Sequence, residues 1–442
     1  MTAEVAILNK RAVALAADSA MSIGNGGKTY NSSNKVFALS KVRPVGIMVY
    51  SAAEFMGVPW ETIVKVYRAS TEGEQPHKTL EGYAGAFFEF LRIGRSRGLF
   101  AEEDETEALD RAIVAAIARL PKMADGEFKR RVEAGEDIVT VRKELPNILM
   151  KCADDLHSEV VAVPFLAGWG DNDVSELSKR HGARIEEIWK KNVPGYAVPA
   201  KLIPYAVRSV CCELDDGLFS GVVIAGFGDA DIFPKLVSKS LRGVQNSRLW
   251  EANDERTVVT RQNQAVIRAY AQGEMVNTFM DGIDPQQSTL LDTALEKVLC
   301  EDYPNLLLSK GPPPDQALRD RVKKDLEALG RQALKTLQDQ MAGLREQNAN
   351  RITRAVAHLE KDDLASMARA LVNLTSLKRR VTLDVESVGG PIDVAVISKG
   401  DGFIWMDRKH YFEPHLNQQF FVNYRGDAHA HHEAKATGKR RH

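Results

Sequence analysis

The sequence has few of the features that mark disulfide-rich, membrane-spanning or nucleic-acid-binding proteins. It has four cysteines in 442 residues, and none lies in a C-x-x-C pair or in a Cys/His set with metal-ligand spacing. No run approaches the roughly 18 apolar residues that cross a bilayer, and no basic and then apolar leader opens the chain. Lysine plus arginine total 59 against 60 acidic residues, so no charge excess favours nucleic acid. These absences predict a soluble, cytoplasmic protein with reduced thiols.

The rest of the composition is that of a folded protein with a substantial core. Hydrophobic residues make up 44% and charged residues 27% of the chain, close to globular averages. Apolar alternation predicts strands at residues 2–8, 12–17, 35–39, 45–51, 218–225, 235–249, 257–266, 392–398 and 402–406. Helical periodicity predicts helices at residues 58–68, 80–95, 103–120, 174–191 and 364–377.

A long amphipathic helix is predicted after the proline-rich segment 311–314. Its apolar residues share one face at helical spacing: Val322, Leu326, Leu329, Ala333, Leu337, Met341 and Leu344. Such a stripe is typical of a helix packed on a core, so we expect that packing here; the alternative is a helix that binds a partner.

The first two predicted strands form a hairpin, and its register places two polar residues together. Paired positions in a hairpin have a constant sum, so a turn centred on Lys10 sets Thr2 across from or beside Asp18. The next hairpin has its loop centred near Val42, which sets Lys35 near Val49 and Tyr50. If both hairpins belong to one sheet, Thr2, Asp18, Lys35 and Tyr50 meet at one end of it.

This set has a coherent chemistry once Met1 is removed, since Thr2 then carries a free α-amine. An α-amine has a pKa of about 7.7 to 8.0 and is a base poised near neutral pH. It can deprotonate the Thr2 hydroxyl, while Lys35 keeps the pKa of the amine low and Asp18 holds the ammonium. The backbone N–H of Tyr50 would stabilise the oxyanion. Each residue alone has an ordinary structural role, and the combined spacing carries the prediction.

The same residues resemble a known family. The pieces that match are Thr2, Asp18-Ser19, Asn34-Lys35-Val36 and residues 46–54. With them the sequence resembles the β-type subunits of the proteasome and the peptidase ring of the bacterial ATP-dependent threonine protease. These are N-terminal nucleophile (Ntn) hydrolases with a four-layer αββα sandwich. In this comparison Tyr50 stands where the family has the glycine of its oxyanion hole.

Two later segments extend the resemblance. Residues 220–228 resemble the family's strand ending in Gly-Ser-Gly, and the serine that contacts the terminal amine falls at Phe227. Residues 387–390 resemble the Ser-Gly-Gly segment, and Asp384 and Glu386 flank the position of the family's aspartate. By resemblance, the residues that support the site are Ser19, Asp384, Glu386 and Ser387.

The resemblance implies an α+β fold, namely a proteasome-like αββα sandwich with large helical insertions. The core would comprise residues 1–70, 216–266 and 364–425. Helical insertions would occupy residues 71–215 and 285–363. The tail, residues 427–442, lacks an apolar pattern and is predicted to be disordered.

The expected function is that of a threonine-type peptidase or amidohydrolase, which cleaves amide bonds through an acyl-enzyme on Thr2. The resemblance implies no cofactor and no metal, a peptide or protein substrate, assembly into a homo-oligomer such as a ring, and an unfolding ATPase as a candidate partner. Neither nucleic acid nor membrane is expected as a partner. The alternative is a proteasome-like scaffold without catalysis, which the residues at Tyr50 and Phe227 favour.

Two other motifs point to different chemistry. Gly26-Gly27-Lys28-Thr29 has the end of a phosphate-binding loop, but the first glycine of that motif falls at Ser22 and no helix start follows. Asp229 and Asp231 offer carboxylates to a hard cation, although a solvated turn explains them more simply. We therefore expect neither a nucleotide site nor a metal site.

Overall fold

The structure, a computed structural model, describes residues 2–22, 29–71, 75–212, 219–309, 315–382, 388–419 and 422. Its strands are β1 Ala3–Asn9, β2 Ala12–Ala17, β3 Met21–Ser22, β4 Thr29–Tyr30, β5 Val36–Ala38, β6 Val45–Tyr50, β7 Glu54–Phe55, β8 Val58–Pro59, β9 Ser220–Gly226, β10 Lys235–Gln245, β11 Arg248–Val258, β12 Ala265–Ala271, β13 Asp393–Ser398 and β14 Gly402–Asp407. The predicted tail, residues 427–442, lies outside the described residues.

The helices lie mainly between β8 and β9 and between β12 and β13. They are α1 Trp60–Ser70, α2 Leu80–Arg92, α3 Glu102–Glu133, α4 Ile138–Lys143, α5 Leu145–Ala162, α6 Asp171–Asn192, α7 Leu202–Cys211, α8 Glu274–Asp281, α9 Pro285–Lys297, α10 Tyr303–Ser309, α11 Gln316–Val356 and α12 Lys361–Val381. A π-helical segment, Val298–Asp302, joins α9 to α10. The helices predicted near residues 58–68, 80–95, 103–120, 174–191 and 364–377 are confirmed as α1, α2, α3, α6 and α12.

Ten of the strands form two five-stranded antiparallel sheets. The first sheet has the order β12-β1-β2-β13-β14 and the second has the order β11-β10-β9-β6-β5. The two predicted hairpins are confirmed as β1-β2 and β5-β6. The strands predicted at residues 392–398 and 402–406 are confirmed as β13 and β14, which pair as a third hairpin. The predicted combination of helices with antiparallel sheets is therefore also confirmed.

The two sheets face each other, and helices cover their outer faces. Successive side chains of a strand point to opposite faces, so the central strands β1 and β2 are buried along their whole length. Side chains that fill the space between the sheets include Ala6, Leu8, Leu15, Met48, Val223 and Leu236. The outer face of the first sheet packs on α12, and that of the second packs on α1 and α2.

Helices α3, α5, α6 and α7 form a separate core beside the second sheet. Trp189, which is fully buried, lies in this core. Trp250 of β11 also belongs to it, and its indole Nε1 donates to the carbonyl of Val210 at 2.9 Å. Burial of such large rings contributes strongly to packing. Trp250 therefore ties this helical core to the edge of the second sheet.

Three expectations about elements are wrong. The strand predicted at residues 235–249 contains the turn at Asn246 and Ser247 that separates β10 from β11. The strand predicted at residues 257–266 is interrupted by a turn in which the Thr260 amide donates to the carbonyl of Asn263 at 2.8 Å, so β11 ends and β12 begins within that segment. The predicted stripe on α11 is not packed on the core as expected: Leu329 and Leu344 are 61% and 65% exposed, and the buried positions of this helix are Gly330, Leu334 and Val356. Helical spacing does not reveal whether another element covers a face.

The described residues include no helix that is both long and apolar enough to cross a membrane. All four cysteines are free and buried, and burial raises the pKa of the Cys211 thiol to about 12. Within the same described part of the chain, no group of three or more His, Cys, Asp or Glu side chains could hold a metal ion.

Candidate active site

The register of the first hairpin places Asp18 beside the start of β1. Glu4 pairs with Ala17, so paired numbers sum to 21, and Asp18 lies opposite Ala3. The Asp18 amide donates to the Ala3 carbonyl at 3.2 Å, and the Ala3 amide donates to Asp18 Oδ1 at 3.2 Å. The register predicted from a turn centred on Lys10 is therefore wrong by one residue, because the turn has two residues. Asp18 nevertheless lies next to Thr2 along the sheet edge.

The register of the second hairpin is as predicted. Val36 pairs with Met48, and the Val49 amide donates to the Lys35 carbonyl at 2.9 Å. However, the two hairpins do not share a sheet, since β1 and β2 belong to the first and β5 and β6 to the second. Lys35 instead reaches across the space between the sheets, and its Nζ lies 2.5 Å from Asp18 Oδ1. Face-to-face packing, not edge-to-edge pairing, brings the set together.

The Asp18 carboxylate is held by backbone amides as well as by Lys35. Its Oδ2 accepts hydrogen bonds from the amides of Ala20, at 3.3 Å, and Gly389, at 2.9 Å. Its Oδ1 accepts from Ala3 and from the ammonium of Lys35. Both oxygens are thus satisfied, as a buried carboxylate requires.

Ser19 connects this region to the segment that precedes β13. Its hydroxyl donates to the Pro391 carbonyl at 2.5 Å, and its amide donates to the Gly389 carbonyl at 3.1 Å. Ser19 thus contacts the backbone of this segment, and its supporting role in the site stays a prediction. Asp384, Glu386 and Ser387, also predicted to support the site, lie outside the described residues.

Glu4 is a site residue that the sequence motifs do not indicate, and its carboxylate accepts the hydrogen bond of the Thr2 hydroxyl. Thr2 Oγ1 donates to Glu4 Oε2 at 3.1 Å. Glu4 Oε1 lies 3.3 Å from Lys35 Nζ as an ion pair, but it accepts no hydrogen bond. Burial raises the pKa of the Glu4 carboxyl to about 7, although Lys35 acts to lower it. One feature of the sequence could have indicated it: Glu4 is acidic, yet it lies on the same buried face of β1 as Ala6.

A cavity of about 590 Å³ opens beside this cluster. Thr2, Lys35 and Tyr50 line it on the side of the sheets. Ala108 and Arg111 of α3 contribute to its wall. The large helical segment therefore helps to shape the space in front of Thr2.

Tyr50 ends β6 at this cavity, and its side chain enters the space between the sheets. Its ring centroid lies 5.2 Å from that of Tyr270 on β12, and burial raises the pKa of its hydroxyl. Tyr50 pairs with Gly221 of β9. Because amides alternate between neighbours along a strand and Val49 donates to β5, the Tyr50 amide faces β9. The oxyanion role of this amide remains a prediction.

The position expected for Phe227 is wrong. Its amide donates to the Pro44 carbonyl at 2.9 Å, at the end of β9 opposite the cavity. The backbone that meets Thr2 belongs instead to Gln272, whose amide donates to the Thr2 carbonyl at 3.1 Å. Gln272 follows Ala271, which has a left-handed φ of 57°. The short sequence match over residues 220–228 therefore placed Phe227 at the wrong end of β9.

Asp231 has a structural role. Its Oδ2 accepts from the amides of Leu80 and Gly228, each at 2.8 Å, and Lys235 Nζ lies 2.9 Å from its Oδ1. The turn expected at residues 229–231 is confirmed, but Asp231 is buried, so the expectation that water solvates its carboxylate is wrong.

Comparison with protein-family models gave no match, and neither did comparison with curated proteins. Among solved structures, this chain is similar to the "Anbu (Gly-1) mutant from Hyphomicrobium sp. strain MC1" at 8% identity and a TM-score of 0.26. The alignment covers 98% of this chain and 97% of that chain. A TM-score of 0.26 is too low to establish a common fold or activity.

Proposed function

We propose that the chain is a cytoplasmic N-terminal threonine hydrolase that cleaves amide bonds, in peptides, through an acyl-enzyme on Thr2. The observation that supports it best is the buried cluster of Thr2, Asp18 and Lys35 beside a cavity of about 590 Å³. Such a cavity with convergent polar groups is the usual setting of an active site.

In the proposed reaction, removal of Met1 gives Thr2 a free α-amine, which acts as the base for the Thr2 hydroxyl. Oγ1 attacks the carbonyl carbon, the amine product leaves with a proton, and water then hydrolyses the ester on Thr2. The charge of Lys35 favours the unprotonated amine and the developing alkoxide. Asp18 fixes Lys35 at 2.5 Å from its carboxylate.

The layer order also supports this proposal. Helix α12 packs on the first sheet, the two sheets pack on each other, and α1 and α2 pack on the second sheet. We assign this order to the four-layer αββα sandwich of an Ntn hydrolase. Assembly into a homo-oligomer and supply of substrate by an unfolding ATPase belong to the same proposal.

A scaffold without catalysis is the second candidate, and one observation favours it. The Tyr50 ring lies over Gly221, where an added Cβ would overlap it, and the paired Tyr50 amide faces β9. The expected oxyanion donor thus points along the sheet toward a neighbouring strand.

A peptide epoxyketone distinguishes the two candidates, because it must react with both the hydroxyl and the free amine of an N-terminal threonine. Intact mass should show loss of Met1 and one adduct in the wild type. The adduct should be absent in Thr2→Ala, retained in part in Thr2→Ser, and unchanged in Thr289→Ala, which alters an exposed threonine on α9. Retained Met1 without an adduct would reject the hydrolase and favour the scaffold.

A further inference from the structure

The two oxygens of Glu4 have different environments. Oε2 accepts the hydrogen bond of the Thr2 hydroxyl at 3.1 Å, within the range of about 2.6–3.2 Å over which a general base takes a proton. Oε1 lies 3.3 Å from Lys35 Nζ and accepts no hydrogen bond. Asp18, by contrast, directs its oxygens to Lys35 and to backbone amides.

A buried glutamate at position 4 is energetically unfavourable if its role is only structural. Its side chain is completely buried between two sheets, and one oxygen lacks the hydrogen bond that a buried carboxylate normally has. Replacement of a buried ion pair by apolar residues is often neutral or stabilising. A carboxylate kept there in contact with a nucleophilic hydroxyl indicates a use in proton transfer.

We propose that Glu4 is a catalytic residue that takes the hydroxyl proton of Thr2 during acylation. This inference rests on the proposed hydrolase function and assigns the hydroxyl proton to Glu4 instead of to the α-amine. As Oγ1 bonds to the carbonyl carbon, its proton moves to Glu4 Oε2 and the carbonyl π electrons move to oxygen. When the C–N bond breaks, the leaving nitrogen takes that proton, and the acyl group remains as an ester on Thr2.

Deacylation returns the site to its starting state. Water attacks the ester carbonyl and gives one proton to Glu4, and that proton passes to Thr2 Oγ1 as the ester bond breaks. The net reaction is amide plus water to acid plus amine, so no other reactant is required.

Burial, opposed by the charge of Lys35, brings the pKa of Glu4 close to neutrality. The titratable side chains near it are Lys35 before β5, Asp18 after β2, Tyr50 from β6, Tyr270 paired opposite it on β12, and Lys409, which is paired with Asp393 and interacts with Lys35 and Asp18. Burial raises the pKa of Glu4 to about 7. A base is most effective when its pKa lies near the working pH.

The test measures acylation of Thr2 by a β-lactone, a probe that needs only the hydroxyl. Intact mass gives the rate between pH 5 and 9 for the wild type, Glu4→Gln and Glu360→Gln, the last of which removes an exposed carboxylate paired with Arg11. We expect a wild-type rate that rises with an apparent pKa near 7. Glu4→Gln should lower the rate at pH 8 on the order of 10²–10⁴-fold and remove that ionisation.

A glutamine can still accept the Thr2 hydrogen bond, so a purely structural Glu4 would leave the pH profile unchanged in Glu4→Gln. That result, with normal acylation of the wild type, would overturn the role of Glu4 and leave the hydrolase proposal standing. Absence of any Thr2 adduct in the wild type would reject both. If Glu4→Gln does not fold, Glu4→Asp should retain the pH dependence at a reduced rate, and loss of that dependence would also overturn the inference.

Discussion

Glu4→Gln should change the pH dependence of stability as well as reactivity. A carboxyl whose pKa is raised by folding holds its proton more tightly in the folded state. Its contribution to stability is fully present below its ordinary pKa of 4.5 and is lost as the pH rises through about 7. Glutamine does not titrate, so the variant lacks this loss.

The size of the effect follows from the two pKa values. Each pH unit between the folded and unfolded pKa is worth about 1.4 kcal/mol, so a rise from 4.5 to about 7 corresponds to about 3 kcal/mol. Between pH 4.5 and 8 the free energy of unfolding of Glu4→Gln should therefore gain about 3 kcal/mol relative to the wild type. This is large beside a total stability of about 5–15 kcal/mol.

Urea unfolding at pH 5, 6, 7 and 8, followed by tryptophan fluorescence, measures this difference. Glu360→Gln, which removes an exposed carboxylate paired with Arg11, is the matched control. A constant difference for Glu4→Gln as well would refute the reasoning, because it would mean that the pKa of Glu4 is the same in the folded and unfolded chains.

Three further predictions concern packing and charge. Lys35→Ala leaves two buried carboxylates without their cation and should lower the free energy of unfolding by about 3–5 kcal/mol, measured by urea titration, and it should abolish acylation of the active site. Gly221→Ala should lower the free energy of unfolding by about 1–3 kcal/mol because its Cβ would overlap the Tyr50 ring. Most of this loss should disappear in a Tyr50→Ala background, and equal losses in both backgrounds would contradict the contact. Trp189→Ala should lower the free energy of unfolding by about 3–5 kcal/mol, measured by thermal unfolding. A smaller loss would show that the core formed by α3, α5, α6 and α7 is loosely packed.

Local sequence was sufficient to predict the hairpins and several helices. The alternation in β1-β2 and β5-β6 has its physical origin in strand geometry, and the turn between strands determines which residues face each other. The prediction that Lys35 lies near Val49 was therefore correct. The one-residue error at Asp18 came from the length of a single turn, which composition does not specify.

Contacts between residues far apart in the chain were not predicted, for a different reason. The amide of Gly389 reaches Asp18 from 371 residues away along the chain, and the Gln272 amide reaches Thr2 from β12. Short motifs carry no information on such distances, which is why Phe227 was assigned to the wrong end of β9. Likewise, helical spacing on α11 did not reveal that Leu329 and Leu344 are exposed.

The sequence by itself determined the strands β1, β2, β5 and β6 and that Thr2, Asp18 and Lys35 lie at their ends, but it did not predict the short strands β3 and β4. Only the tertiary structure decided that β1, β2, β5 and β6 belong to two stacked sheets, so that Lys35 crosses between them and Glu4 meets the Thr2 hydroxyl. The physical reason is that pairing within a hairpin depends on neighbours in the chain, whereas stacking of two sheets depends on the burial of whole faces.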